Sequence, residues 1–270
     1  MTQLYRAEMQ PDISFIGVGL EPERHLTREA ERALQESRVA FHLTASHEFI
    51  CDLVGGTAVD LGDHYRKTAS TDAYTQQVEM ILSELGNGPG VAFVTYGHPM
   101  VLVDTCQSLL SHLRTIRGTW RVISGISSVA VMLERFTLDI GLAGLLVIEA
   151  NKMVINQVRP NPSVASFIMQ VGAFGALDLT LARRNHPDRF VKLRDYLLQD
   201  YSPEHPAVFI TCGHLEGMED IMHHTTVNDM ADDADLIHTG MSLYLPPAAP
   251  NQDDRIIREM SNPQNVFHEG

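Results

Sequence analysis

Three short apolar runs in the first half of the chain each end in a loop that contains glycine. Residues 13–16 lead into Gly17-Val18-Gly19, residues 91–95 into Tyr96-Gly97-His98-Pro99, and residues 120–123 into Ser124-Gly125-Ile126-Ser127-Ser128. Such runs are typical of buried strands in a parallel sheet, and ligands in open α/β sheets bind beyond the carboxyl ends of such strands. The pattern predicts one crevice built from these loops, although ordinary strand–helix turns would also explain the Tyr96 and Ser127 loops.

Helical periodicity separates these runs. Thr27 can cap a helix with Ala30 and Leu34 on its apolar face, and Asp72 stands at the N-cap position before an apolar stripe at residues 78–85. Further strands are predicted at residues 39–41 and 58–61, so strand and helix alternate and the sheet should be mostly parallel.

Extended runs are denser in the second half of the chain, which predicts a mixed sheet. Its strand candidates are residues 145–148, 167–171, 207–211 and 242–245. We therefore expect an α/β fold of two lobes, with an N-terminal lobe at 11–118, a C-terminal lobe at 119–247 and a polar tail at 248–270.

Composition excludes several classes of protein. The formal net charge of −14 disfavours general nucleic-acid binding and suits a cationic ligand or a basic peptide, or solubility alone. No apolar run approaches the roughly 20 residues of a membrane helix, and the first residues lack the apolar middle of a signal peptide. Cys51, Cys106 and Cys212 are odd in number and widely spaced, which predicts reduced core residues in a cytoplasmic protein without a membrane contact.

Several common sites do not fit the motifs. The third glycine of a dinucleotide fingerprint would fall at Pro22, which disfavours a nicotinamide site. The histidines and cysteines form neither an HExxH nor a CxxC pattern, so no metal is expected. Tyr65, Arg66 and Tyr74 place phenols near a cation that would favour phenolate, although they are also ordinary for a surface loop.

Taken in order, these motifs resemble the tetrapyrrole methylase family over most of residues 13–247. The Gly17 loop is similar to the family's first glycine loop, the Tyr96 loop to its YGDP loop, and the Ser124 loop to its PGISS loop, with serine in place of proline. His98 stands where porphyrin-pathway members usually carry aspartate. Together with Asp72-Ala73-Tyr74-Thr75-Gln76 it resembles the borosin branch, whose members methylate backbone amides of a ribosomal peptide.

The resemblance implies a site and a partner. It implies S-adenosylmethionine as methyl donor, S-adenosylhomocysteine as product, a homodimer, and a precursor peptide in trans, since the chain ends 23 residues after Pro247. Tyr65, Tyr74, Tyr96 and Arg66 are implied in catalysis. Arg66 is a stand-in for the borosin arginine, because Ser70 occupies that position. The implied donor-binding residues are Gly17, Gly19, Tyr96, Gly97, His98, Val101, Ser127, Ser128, Gln170, Thr211 and Ser242.

Two other functions stay open from the sequence. One is a methyltransferase that acts on carbon atoms of a porphyrinoid, for which an acidic chain is a poor match. The other is a non-catalytic protein that keeps the donor pocket and docks a partner, which Ser70 in place of arginine would allow.

Overall fold

The computed structural model describes residues 10–44, 46–62, 70–176, 188–212, 220–248 and 254–261. Within these residues the first sheet contains β1 (Ile13–Gly17), β2 (Val39–Leu43), β3 (Thr57–Asp60), β4 (Val91–Thr95) and β5 (Trp120–Ile123). Their order across the sheet is β3-β2-β4-β1-β5, and each neighbouring pair runs parallel. The predicted parallel sheet is confirmed.

The second sheet contains β6 (Leu145–Glu149), β7 (Ala165–Met169), β8 (Pro206–Thr211), β9 (Ile221–Thr226) and β10 (Ser242–Leu245). Its order is β6-β7-β10-β8-β9. The β6–β7 pair is parallel and the other three pairs are antiparallel, which confirms the predicted mixed sheet.

Helices connect the strands and cover the sheets. The α-helices span Pro22–His25, Arg28–Gln35, His47–Leu53, Ser70–Leu85, Asp104–Ile116, Ser128–Arg135, Ile140–Ala143, Ala150–Ile155, Asp188–Leu197 and Asp254–Met260, and short 3₁₀ helices span Val171–Ala173 and Asp229–Ala231. The Thr27 cap is confirmed, because its hydroxyl accepts a hydrogen bond from the backbone N–H of Ala30 at 3.1 Å. None of the described helices is both long and apolar enough to cross a membrane.

Both faces of the first sheet are buried. Val91 and Phe93 of β4 point to one face, where they pack with Ile81 and Leu109 of the two longest helices. Ala92 and Val94 point to the other face, against residues of the Arg28–Gln35 and His47–Leu53 helices. This two-sided burial explains why the strand reads as a continuous apolar run.

Four details differ from the sequence prediction. Asp72 lies in the first turn of a helix that begins at Ser70, so it is not the N-cap. The strand predicted at 167–171 ends at Met169, because Gln170 adopts a left-handed φ of 54° that starts a 3₁₀ turn. β9 was not predicted, since it is an edge strand whose apolar Ile221 is exposed. Cys51 is exposed and is not a core residue.

The predicted lobe boundary stays a prediction. β5 begins at Trp120, after the predicted boundary, yet pairs with β1 in the first sheet, so a division by sheets falls after Ile123. In the tail, the backbone N–H of Ala248 donates to the carbonyl of Pro162 at 2.7 Å, and the Asp254–Met260 helix is exposed.

Candidate functional site

Three predicted loops meet at the carboxyl edge of the first sheet. A Cβ atom at Gly17 would lie 2.5 Å from the carbonyl oxygen of Gly97, 2.7 Å from the nitrogen of Gly125 and 2.8 Å from the Cδ of Pro99. A Cβ atom at Gly125 would lie 2.2 Å from the same Gly97 oxygen. Only glycine permits this close approach of the three loops.

A short backbone bridge joins two of these loops. The N–H of Gly97 donates to the carbonyl of Gly19 at 2.8 Å, and the N–H of Gly19 donates to the carbonyl of Gly97 at 3.3 Å. Gly19 and Gly97 have φ values of 81° and 66°, in the left-handed region that favours glycine. The nearest atom to a Cβ at Gly97 would be a Leu20 methyl at 3.5 Å, an ordinary van der Waals contact, so it is the left-handed φ that favours glycine here.

His98 is held neutral in one tautomer. Its Nδ1 accepts a hydrogen bond from the backbone N–H of Met100 at 3.0 Å, so the proton of the neutral ring lies on Nε2. Burial lowers the pKa of this imidazole. The side chain therefore offers an N–H donor, and the Val101 N–H closes the turn on the His98 carbonyl at 3.0 Å. Beside it, the Tyr96 side chain is 53% exposed.

A helix begins at the third loop. Ser127 is its N-cap, and the Ser127 hydroxyl accepts from the N–H of Ala130 at 3.3 Å. Ser128 is the first residue of this eight-residue helix. A helix N-terminus offers unpaired N–H groups and a partial positive charge, which together suit a carboxylate or another anion.

Three further predicted residues lie at the same end of three neighbouring strands of the second sheet. Thr211 ends β8, Ser242 begins the antiparallel β10 in register with Ile210, and Gln170 follows the end of β7. The N–H of Val171, the residue after Gln170, donates to the carbonyl of Met241 at 3.0 Å. Thr211 and Ser242 are buried, and Gln170 is exposed.

The Ser128–Arg135 helix connects the two groups of residues. Its first residue lies beside the second sheet, because the Sγ atom of Cys212 is 4.0 Å from the Ser128 carbonyl oxygen. One turn later, Met132 is fully buried in a cluster with Phe167 and Val208 of the second sheet. The predicted donor residues of the two lobes therefore share one boundary at this helix.

The predicted catalytic residues are only partly described. Tyr74 lies in the first half of the Ser70–Leu85 helix and is half-buried. Tyr65 and Arg66 lie outside the described residues, so their predicted roles stay predictions. Ser70, which replaces the arginine of the borosin pattern, is the first residue of the helix.

Sequence reasoning missed a histidine beside Thr211. The Nδ1 of His238 accepts from the backbone N–H of Gly240 at 3.2 Å, so its Nε2 donates to the Thr211 hydroxyl at 2.9 Å. This hydrogen bond leaves the Thr211 hydroxyl proton available for a further acceptor. The signal in the sequence was a histidine four residues before Ser242, which periodicity alone does not single out.

The predicted donor site is built from neutral groups. Its described members are glycines, hydroxyl side chains, an amide, a phenol, a valine and the neutral His98, with Ser128 at a helix N-terminus. Such a site suits a zwitterion that carries one carboxylate and needs close backbone contact. Among the described residues, no three side chains of His, Cys, Asp or Glu are grouped closely enough to hold a metal ion.

Comparison with known proteins gives a family match. The model of the family described as Tetrapyrrole (Corrin/Porphyrin) Methylases matches residues 12–227.

Curated relatives share low identity over nearly the whole chain. The methyltransferase/ribosomally synthesized type I borosin cyclic peptide precursor of Coprinopsis marcescibilis is 26% identical over 94% of this chain and 66% of its own length. The corresponding protein of Gymnopilus junonius is 25% identical over 94% of this chain and 61% of its own length. The chain thus spans less than two thirds of these relatives.

Solved structures share the fold. The uroporphyrin-III C-methyltransferase of Thermus thermophilus complexed with S-adenosylhomocysteine superposes with a TM-score of 0.61, at 19% identity over 87% of this chain and 96% of that one. The cobalt precorrin-4 methyltransferase gives a TM-score of 0.62, at 13% identity over 87% of this chain and 94% of that one.

Proposed function

The chain belongs to the tetrapyrrole (corrin/porphyrin) methylase family, and from this premise we propose that it transfers methyl groups from S-adenosylmethionine to backbone amides of a separate peptide. The observation that carries the choice of acceptor is the match to borosin methyltransferase–precursor proteins over 94% of this chain. The convergence of the Gly17, Tyr96 and Ser124 loops supports the choice of donor.

The donor would be held by backbone contacts and hydroxyl groups. Gly17 and Gly125 let the three loops converge, and the helix that begins at Ser128 offers N–H groups to the donor's carboxylate. The neutral His98 adds an N–H donor without a positive charge that would repel the sulfonium. When bound, S-adenosylmethionine supplies an electrophilic methyl group.

An amide nitrogen is a weak nucleophile, because its lone pair is delocalised into the carbonyl group. The residues around the acceptor must therefore take up the N–H proton and stabilise charge on the amide oxygen. We assign proton uptake to the phenolate form of Tyr74 or Tyr65, an oxyanion contact to the other phenol, and positioning to Tyr96. Arg66 would favour the phenolate by its charge.

The proposed transfer moves a methyl group from sulfur to nitrogen and a proton from nitrogen to the phenolate oxygen. The amide nitrogen gives its proton to the phenolate and forms a bond to the methyl carbon, as the carbon–sulfur bond breaks with its electron pair leaving on sulfur. The products are the N-methyl amide and S-adenosylhomocysteine, and the phenol returns its proton to solvent. Holding donor and acceptor in line would supply much of the rate acceleration.

The experiment that tests this proposal compares peptides with a porphyrinoid as methyl acceptors. Purified protein is incubated with methyl-labelled S-adenosylmethionine and either a pool of synthetic random-sequence peptides or uroporphyrinogen III, and label in each acceptor is counted. Label in peptides supports the proposal. Label in uroporphyrinogen III alone would replace it with the porphyrinoid function. Donor binding in calorimetry without transfer to any acceptor would favour the non-catalytic binder.

The porphyrinoid function is the second candidate, because the solved structures that share the fold are porphyrin and corrin methyltransferases. A porphyrinoid carries several carboxylates and calls for basic residues around its site. The net charge of −14 makes this chain a less suitable partner for such an acceptor than for a peptide.

We also propose that the chain forms a homodimer. Apolar side chains are exposed on the edge strand β6 and on the short helix before it. Leu142 and Ile140 of the helix are 89% and 52% exposed, and Val147 of β6 is 42% exposed. Such a patch commonly marks a protein–protein contact. Sedimentation at micromolar concentration should give twice the monomer mass. A monomer that still transfers methyl groups would contradict the proposed homodimer.

A further inference from the structure

The helix that carries Tyr74 holds a buried polar side chain where its periodicity calls for an apolar one. Ala73, Gln77 and Ile81 follow at intervals of four residues, and all three are fully buried. Ile81 packs in the core between the helix layer and the first sheet. Gln77 therefore lies one turn closer to the carboxyl edge of the sheet, where the predicted site begins.

The Gln77 side chain has a hydrogen-bond partner at its oxygen and none at its nitrogen within the described residues. The hydroxyl of Thr105, at the start of the adjacent Asp104–Ile116 helix, donates to the Gln77 Oε1 at 2.8 Å. The Gln77 Nε2 is buried and has no hydrogen-bond partner within the part of the chain that the structure describes. Rotating the amide by 180° would exchange the two atoms and leave the oxygen unpaired instead, so the deficit does not depend on the amide assignment.

Thr95 has a similar deficit on β4, the strand that packs against this helix. It is the last residue of β4, 1% exposed, and its Oγ1 has no hydrogen-bond partner among the described residues. Side chains alternate along a strand, so Thr95 points to the face of Val91 and Phe93, which the two long helices cover. Its sheet neighbours are Gly17 and Leu43.

Burying an amide or hydroxyl without a partner is unfavourable, so such groups in native proteins are nearly always satisfied by protein or by ordered water. An internal water typically makes about three hydrogen bonds to otherwise unsatisfied groups. Gln77, Thr95 and Thr105 supply that number of side chains, with both donors and acceptors.

We propose that Gln77, Thr95 and Thr105 form one hydrogen-bonded cluster, closed by an internal water, that fixes the Tyr74 helix against the strand leading into the Tyr96 loop. The cluster joins three elements: the helix of the proposed acceptor side, the strand of the proposed donor side, and the Asp104–Ile116 helix that packs beside the first. Gln77 and Thr95 are positioning residues, and their role in turnover rests on the proposed function.

The water is tested directly in the unmodified protein. A crystal structure at a resolution that shows ordered waters should contain one water within hydrogen-bond distance of Gln77 Nε2 and Thr95 Oγ1. A direct bond between these two atoms, or a site without water, would overturn the proposed cluster.

The coupling is tested by a double-mutant cycle on the melting temperature. Gln77→Leu and Thr95→Val each should lower it, and the double variant should lose clearly less than their sum, because the first substitution already breaks the cluster. Gln76→Leu is the matched control, since Gln76 is exposed on the same helix, and it should add independently to Thr95→Val. Additive losses for Gln77 and Thr95, or a rise in melting temperature in Gln77→Leu, would contradict the cluster.

A kinetic comparison tests positioning. In the peptide assay we expect Gln77→Leu and Thr95→Val to lower kcat about tenfold or more while the KM for S-adenosylmethionine changes less than about threefold. Thr95→Ser, which keeps the hydroxyl, should restore kcat. Unchanged kcat in both variants would refute positioning. If the unmodified protein transfers no methyl group, the proposed function fails, whereas the crystal and melting experiments still test the cluster.

Discussion

Alanine at Gly17 should separate the three loops that meet at the carboxyl edge of the first sheet. The added Cβ would lie 2.5 Å from the Gly97 oxygen, 2.7 Å from the Gly125 nitrogen and 2.8 Å from the Pro99 ring. Two of these atoms are backbone and the third belongs to a rigid ring, so none can yield by changing a rotamer. Overpacking of this kind costs about 1–3 kcal/mol.

This cost should divide between folding and ligand binding. If the loops move apart and donor binding must restore them, the Kd for S-adenosylhomocysteine rises by about 5–150-fold. If the strain stays in the folded state, the melting temperature falls by about 2–12 °C for a chain of this size. Titration calorimetry and thermal unfolding of the same preparation measure both quantities.

Gly86→Ala is the matched control. Its Cβ would meet only the Ser83 carbonyl oxygen at 3.3 Å, on an exposed turn before β4 begins, whereas the Tyr96 loop follows the other end of that strand. We expect both measurements to stay close to those of the unmodified protein. A Gly17→Ala protein with the same Kd and the same melting temperature would refute the close convergence of the loops.

Three further predictions concern other parts of the molecule. Tyr74→Phe should abolish methyl transfer and leave the donor Kd within about threefold in calorimetry, and unchanged turnover would remove this phenol from the mechanism. Phe93→Ala should open a cavity in the core that costs about 3–5 kcal/mol of stability and lowers the melting temperature by about 6–20 °C. Met260→Ala, at a side chain that is 76% exposed, should leave the melting temperature unchanged. Because burial lowers the pKa of His98 below 6.5, the unfolded chain binds the extra proton, so stability falls as pH drops below about 6.5. The free energy of unfolding, measured by urea titration from pH 8 to 5, should fall less in His98→Gln than in the exposed-site control His112→Gln. An equal fall of this free energy with pH in the two variants would contradict the prediction.

The sequence predicted the fold well where burial is symmetric. β4 was predicted at its observed bounds, because a strand covered on both faces is a continuous apolar run with turn residues after it. β5 was also predicted at its observed bounds, although it is a partly buried edge strand. β9 escaped prediction, because it is an edge strand with exposed apolar residues and no clear alternation. The end of β7 was misplaced by two residues, since nothing in the sequence signals the left-handed Gln170.

The site was predictable in its loops and not in its supporting contacts. The glycines were visible as motifs, and the structure brings Gly17, Gly97 and Gly125 together as the topology of parallel strands requires. The hydrogen bond from His238 to Thr211 and the buried Gln77 depend on packing between distant segments, which no local pattern encodes. Catalytic roles came from family resemblance alone and stay predictions.

The measurement that tests the central claim most directly is the position of the transferred methyl group. The peptide acceptor is recovered after incubation with methyl-labelled S-adenosylmethionine, and its fragment ions are read residue by residue. The proposed function predicts labelled methyl on backbone amide nitrogens, and none when Tyr74→Phe replaces the unmodified protein. Label on side chains only, or label that appears in uroporphyrinogen III and never in a peptide, would contradict it.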